Sequence, residues 1–194
     1  MTVLAWEEIA SSHLTQAGLN DPEKGLRSLR ELAGQGVSDD DLEPLLTPLL
    51  LALQDAPDAD RALGSFVRWF SALSGRYSYL QLLLRHPVAL QVFCLVTGSS
   101  QYFADLLVRH PETFEILANP GVRGGIKSGA TFYKEVSALV GACQQVVLKK
   151  DALRRWKARE MLRIGVRDLV GLGDMPSTAR EFSNLADSCV QCAY

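Results

Sequence analysis

Apolar residues along this 194-residue chain recur at intervals of three and four, and leucine and alanine dominate the pattern. No stretch shows the apolar–polar alternation of a solvent-faced strand. The nearest rival, "CQQVVL", sits inside a helical pattern. The periodicity therefore predicts an all-α protein, a multi-helix bundle of about eight to ten helices with no sheet. One helix opens with Asp21 as N-cap and Pro22 at its first position, aligns Leu26, Leu29 and Leu32, and stops at Gly34. The next carries Asp39, Asp40 and Asp41 in its first turn, where carboxylates suit the helix dipole, and Pro48 is expected to kink or break it. A third sets Leu63, Phe66, Phe70 and Leu73 on one side.

The phrase "LLLRHP", Leu82 to Pro87, then returns 24 residues later as "LLVRHP", Leu106 to Pro111. Phe103 falls on Tyr79, Leu106 on Leu82, Phe114 on Leu90 and Leu117 on Phe93, so the matched positions are apolar or aromatic in both copies. Arg-His suits a last turn with its exposed carbonyls, and proline blocks continuation while starting a new helix. Each copy reads as a helix stop followed by a helix start. The competing reading, a metal pair of His86 and His110, needs convergence and further ligands, and no H-x3-H or H-E-x-x-H spacing supplies them.

The segment Ala118 to Ala130, "ANPGVRGGIKSGA", is the most flexible internal stretch by composition. It does not meet the phosphate-loop pattern: Ile126 separates Lys127 from the glycine pair, and no strand leads in. Beyond it two long helices are expected over Thr131–Lys149 and Asp151 to about Val170, nearly continuous. "GLGD", Gly171 to Asp174, ends the second. A last helix starts near Pro176, with Thr178 and Glu181 at capping-box spacing and the cap expected there or a residue or two earlier.

Composition narrows the function classes. Hydrophobic residues make up 47% and the formal net charge is -2, so the chain is globular rather than disordered and is no general polyanion binder. Any basic feature must be local, and no nucleic-acid partner is expected. "MTVLAWEEIASS" lacks the basic and apolar regions of a signal peptide, and "LLTPLLLAL" is too short to span a bilayer. A cytoplasmic chain with no membrane partner is expected, with Cys94, Cys143, Cys189 and Cys192 reduced.

The local basic feature is "KKDALRRWKAREMLRIGVRD". Lys149, Lys150, Arg154, Arg155, Lys157, Arg159, Arg163 and Arg167 hold 8 of the 20 basic residues of the chain. Leu153, Trp156, Leu162, Val166 and Leu169 form its apolar stripe, and Arg155, Arg159 and Arg163 step by four along one face. Arg154, Arg155, Lys157, Arg159, Arg163 and Arg167 are the candidate face for an anionic contact or a domain interface. The alternative is a solvated face paired with Glu160 and Asp168. "CVQC" has the C-x-x-C form, but one pair without a preceding strand fits neither a zinc site nor a thioredoxin-like motif. No G-x-S-x-G or dinucleotide fingerprint occurs, and "DDD" reads as helix-start chemistry. No catalytic, cofactor-binding or metal residue is assigned.

The second half resembles the N-terminal helical region of the bifunctional glutamine synthetase adenylyltransferase and adenylyl-removing enzymes. The matching residues are Gly98, Ser99, Ser100 and Tyr102; Leu153 to Arg155, Arg159, Glu160, Leu162 to Ile164, Arg167 to Leu169, Gly171 and Asp174; then Thr178, Glu181 to Ser183 and Leu185 to Asp187. The match runs from about Leu63 to Ala193 and leaves residues 1–60 unplaced, so a division into 1–60 and 61–194, or one domain overall, is expected. The resemblance implies an enzyme that transfers AMP from ATP to a tyrosine of glutamine synthetase and removes it by phosphorolysis. It also implies two Mg2+-dependent nucleotidyltransferase domains and control by glutamine and a PII-type signalling protein. Gly64-Ser65 and Gly98-Ser99 lack the D-x-D that follows the family's catalytic Gly-Ser turn. The expectation is a non-catalytic helical part, truncated before the first catalytic domain, that holds no ATP or Mg2+ itself. Its partners would be that catalytic domain, glutamine synthetase and a PII-type protein. The alternative is a standalone helical interaction module without chemistry.

Overall fold

Capping residues and apolar stripes set the helix boundaries. The computed structural model describes residues 9–32, 37–119 and 124–193. Eleven α-helices and no strand occur among them: α1 Ser11–Gln16, α2 Pro22–Leu32, α3 Asp39–Gln54, α4 Ala59–Ala72, α5 Arg76–Arg85, α6 Pro87–Ser99, α7 Gln101–Arg109, α8 Glu115–Ala118, α9 Gly129–Gly141, α10 Val146–Leu169 and α11 Met175–Ala193. The chain is all-α, as its periodicity predicts.

Asp21 caps α2 by accepting from the Lys24 N–H at 3.0 Å, while the stop expected at Gly34 lies outside the described residues. Ser38 caps α3, and Asp39, Asp40 and Asp41 fill its first turn. Of the expected kink or break at Pro48, the break is corrected: α3 runs unbroken through Pro44 and Pro48. Two backbone bonds are lost there, but Leu45, Leu46, Leu49, Ala52 and Leu53 are buried on either side and hold the turns in place.

The repeat is punctuation. His86 ends α5 with φ -129 and ψ 69, and His110 ends α7 with φ -130 and ψ 65. The His86 N–H donates to the Leu82 carbonyl at 3.0 Å and the His110 N–H to the Leu106 carbonyl at 2.8 Å. Each histidine carbonyl accepts from the residue three further on, Ala89 or Thr113, which opens the next turn. The copies then diverge. Pro87 starts a 13-residue helix, whereas Pro111 starts a 3-10 turn, Pro111–Phe114, before α8. Among the described residues no group of three or more His, Cys, Asp or Glu is placed to hold a metal.

Packing divides the chain into residues 1–118 and 119–194. The division near residue 60 marks where the resemblance begins, whereas in packing α2 and α3 lie against α4 and α6 within the first unit. That unit is organised around α4. Its Phe66 and Trp69 meet Phe93 of α6 at 5.8 and 5.1 Å between ring centroids, and Trp69 meets Phe114 at 4.7 Å. All four rings are fully buried. Gly98 and Ser100 of the resemblance sit at the α6–α7 junction. A Cβ at Gly98 would stand 3.2 Å from Ala56 Cβ and from the Asp58 carbonyl, and Arg61 donates to the Thr97 and Gly98 carbonyls. Ser100 caps α7.

The second unit is three helices. Phe132 and Val136 of α9, Trp156 and Ile164 of α10 and Leu185 of α11 make its core, edged by Val140, Leu153, Met161, Phe182, Cys189 and Cys192. The break between the long helices falls at residues 142–145, not near 150, because the backbone becomes extended at Gln145 (φ -93, ψ 139). α9 starts at Gly129, capped by Ser128. Gly171, at φ +73, terminates α10: its N–H donates to Asp168 and the Leu172 N–H to Arg167, a paired closure that needs the left-handed conformation. The expected Thr178–Glu181 capping box is a second correction. Asp174 caps α11, accepting from the Ser177 N–H at 2.8 Å while Ser177 Oγ accepts from the Asp174 N–H at 3.2 Å.

The two units differ in charge. Residues 1–118 carry eight lysines and arginines against fifteen carboxylates, a net of -7. Residues 119–194 carry twelve against seven, a net of +5, and together they give the -2 of the whole chain. No single helix among the described residues is long and apolar enough to cross a membrane. The apolar pair α5–α6 bends by 104°, and most of the α6 apolar side chains are buried.

Candidate functional site

The basic helix α10 is the centre of interest, and the structure sorts its cations into two sets. Arg163 and Arg167 are 3% and 6% exposed, while Arg154, Arg155, Lys157 and Arg159 are exposed. The six do not form one face. A step of four residues advances about 40° beyond a full turn at 3.6 residues per turn. The row Arg155, Arg159, Arg163 therefore winds from the flank of α10 onto its buried side.

What receives the buried pair is a closed ionic network. Glu181 of α11, with no exposure, is its hub. Its carboxylate accepts from Arg163 Nη2, from Arg167 Nη1 at 2.6 Å and from the Lys127 backbone N–H at 3.0 Å. Arg163 Nε donates to Glu160 Oε2 at 2.6 Å, and its Nη1 reaches the Gly125 carbonyl at 3.4 Å. Lys127 Nζ lies 3.0 Å from Glu160 Oε1 and 2.8 Å from Glu135 Oε2. Three cations thus meet three carboxylates, which is the condition under which charges can be buried at all. Burial works against the Arg163 charge, but its bonds to Glu181 and Glu160 outweigh that and raise its pKa. Lys127 and Arg163 also lie 5.7 and 5.8 Å from the centre of the Phe132 ring, which ties the network to the apolar core. Within the network, Arg167 Nε stays buried without an acceptor.

The network explains much of the resemblance motif physically. Glu160, Arg163, Arg167 and Glu181 are its members, and Thr178 donates to Asp168 at 3.0 Å beside them. Of the partners expected for the basic helix, Glu160 does pair with Arg163, whereas Asp168 serves Thr178. Sequence reasoning missed Lys127, Glu135 and Glu181. Only the coincidence of an i,i+3 Glu–Arg pair with a second arginine four residues on signals a buried cluster, and it does not say which distant acid answers it.

The exposed set points outward from this support. Arg154 pairs with Asp151 at 3.3 Å, both substantially exposed, so that pair holds little. Lys127 and Ser128, which drew attention as part of a glycine-rich loop, are engaged in the network and in capping α9. Burial raises the Cys189 thiol, and the free thiols of Cys189 and Cys192 pack against the core of the second unit. Asp39 and Asp41 lie in the first turn of α3, where Asp41 accepts from Ser38 Oγ at 2.6 Å. They do not fit the metal-binding D-x-D of a nucleotidyltransferase, and no step through ATP or Mg2+ follows from the described residues.

Residues 90–194 match the family model described as glutamate-ammonia ligase adenylyltransferase. A bifunctional glutamine synthetase adenylyltransferase/adenylyl-removing enzyme from Streptomyces coelicolor is 31% identical over 84% of this chain and 17% of its own length. The protein of that name from Chromobacterium violaceum is 27% identical over 96% of this chain and 22% of its own. One from Streptomyces avermitilis is 32% identical over 88% and 18%. The chain therefore spans about a fifth of the length of these relatives. The similarity extends well into the first 60 residues, which the motif resemblance left unplaced.

Proposed function

The chain belongs to the glutamate-ammonia ligase adenylyltransferase family, and from that premise we propose that it is a non-catalytic helical docking part of an enzyme acting on glutamine synthetase. The reading is of a cytoplasmic protein whose contribution is binding, with ATP and Mg2+ handled by sequence other than these helices. The observation that carries it is the sorting of α10: two arginines are consumed by a neutral buried network, and Arg154, Arg155, Lys157 and Arg159 are held outward on the rigid helix it braces. Guanidinium groups fixed on a helix suit carboxylates on a protein surface. The net charge of +5 on this unit gives a long-range attraction to the same kind of surface.

The test is titration of the chain against purified glutamine synthetase at two ionic strengths. Measurable binding at tens of micromolar, weakened by salt and by Ala at Arg154, Arg155, Lys157 and Arg159 together, is the expected result. No binding at that concentration would sink the docking role. Turnover of AMP onto glutamine synthetase by this chain with ATP and Mg2+ would sink the non-catalytic reading.

A further inference from the structure

The start of α10 is unlike the rest of the helix. Val146, Val147 and Leu148 are 65%, 67% and 48% exposed, and no residue of α10 before Ala152 is buried. Leu139, in the last turn of α9, is exposed on the other side of the 142–145 connection. Four aliphatic side chains therefore bracket one turn at an end of the three-helix unit, with none of them in its core. Exposed large aliphatic groups this close along the chain are candidates for a contact, since each gains by leaving water.

The surroundings state what covers them. Lys149, Lys150, Arg154, Arg155, Lys157 and Arg159 follow directly on α10, and Asp151 is the single acidic residue between Val146 and Arg159. Gln145 supplies no side-chain cap, so the positive end of the helix dipole adds to the same sign. The complementary surface has an apolar centre and a rim of carboxylates. A bilayer fits less well: the tip lacks the Trp and Tyr that favour the membrane interface, and the chain carries a net of -7 in its first 118 residues.

We infer that the Leu139–Val146–Val147–Leu148 tip is the anchor by which this unit docks onto an acid-rimmed apolar patch of glutamine synthetase, with the α10 cations as the rim of the contact. This rests on the docking role proposed above and gives it a location. Buried apolar anchors dominate affinity and rim charges add steering.

The test compares the chain with its V146S/V147S/L148S variant and with Val147→Asp alone, against glutamine synthetase and against phosphatidylserine vesicles. All three positions are exposed, so both variants should keep the helical circular dichroism of the parent. The expected result is affinity for glutamine synthetase reduced about tenfold or more in both variants, with no vesicle binding. If the parent binds and the triple-serine variant binds equally well, the tip is not the anchor while the docking role stands. If the parent fails to bind, the docking role itself falls and takes the tip with it. Binding to vesicles that the serines abolish, or self-association that they abolish, would overturn the assignment in favour of a membrane or a second copy.

Discussion

The first unit keeps its large rings together, and the second keeps its charges together. Around α4, Phe66, Trp69, Phe93 and Phe114 pack with essentially no polar partner, to the point that Trp69 Nε1 is buried unbonded. In the second unit five buried apolar residues are joined by a six-residue ionic network whose hub, Glu181, is sealed from solvent. A three-helix unit of some 75 residues has little apolar area to bury. Buried charge gives such a unit a defined register of α11 against α10, because only one alignment satisfies both arginines. The lesson concerns reading basic helices: cation count alone does not measure a binding surface, since part of the charge can be internal structure.

Four substitutions at two positions would break or sharpen this contrast. Glu181→Ala takes the only carboxylate described for buried Arg167 and one of the two that hold buried Arg163, and should cost about 3–5 kcal/mol. Denaturant titration with hydrogen exchange should place the loss in residues 124–193, and Glu181→Gln, which keeps the shape, should recover only part of it. In the first unit Phe66→Ala should cost a similar about 3–5 kcal/mol through the cavity it opens, whereas Phe66→Leu should cost only about 1 kcal/mol. Retention of shape thus rescues the apolar site more than the ionic one, and equal rescue at both would erase the distinction.

A smaller effect is expected at Asp60. Burial raises its pKa, but the Asn20 and Asp21 N–H groups, the Asn20 amide and nearby Lys24 outweigh that and lower it. A lowered folded value means stabilisation present above about pH 4 and lost as pH falls through the folded value. Asp60→Asn should therefore destabilise only modestly, by less than about 1 kcal/mol at neutral pH because solvent screens the site, and flatten the acid side of the stability profile of the first unit. Thermal melts from pH 2 to 7 would check it; an unchanged acid slope would contradict it. Smallest of all, Arg155→Ala should change stability by less than about 0.5 kcal/mol, since that side chain is exposed.

Much of this was legible in the sequence. The all-α class, the helix stops at His86 and His110 and the glycine closure at Gly171 follow from local chemistry, which needs only a few neighbouring residues. Boundaries failed where tertiary packing decided, as at Pro48, where buried leucines flank an unbroken helix, and at Gln145, where the chain turns extended four residues after Gly141 ends α9. The candidate face was half legible. Its cations are plain in the sequence, but which of them turn inward depends on Glu181 and Lys127, 18 residues after and 36 residues before Arg163. Thr178 and Glu181 have a capping-box spacing that local reasoning cannot tell from a buried carboxylate serving another helix.

The most direct measurement is a hydrogen-exchange footprint of the chain with and without glutamine synthetase. The account predicts new protection confined to residues 139–159, with the α4 core of the first unit unchanged. Protection centred on residues 1–118, with α10 unaffected, would contradict the claim that the outward cations and apolar tip of the second unit make the contact.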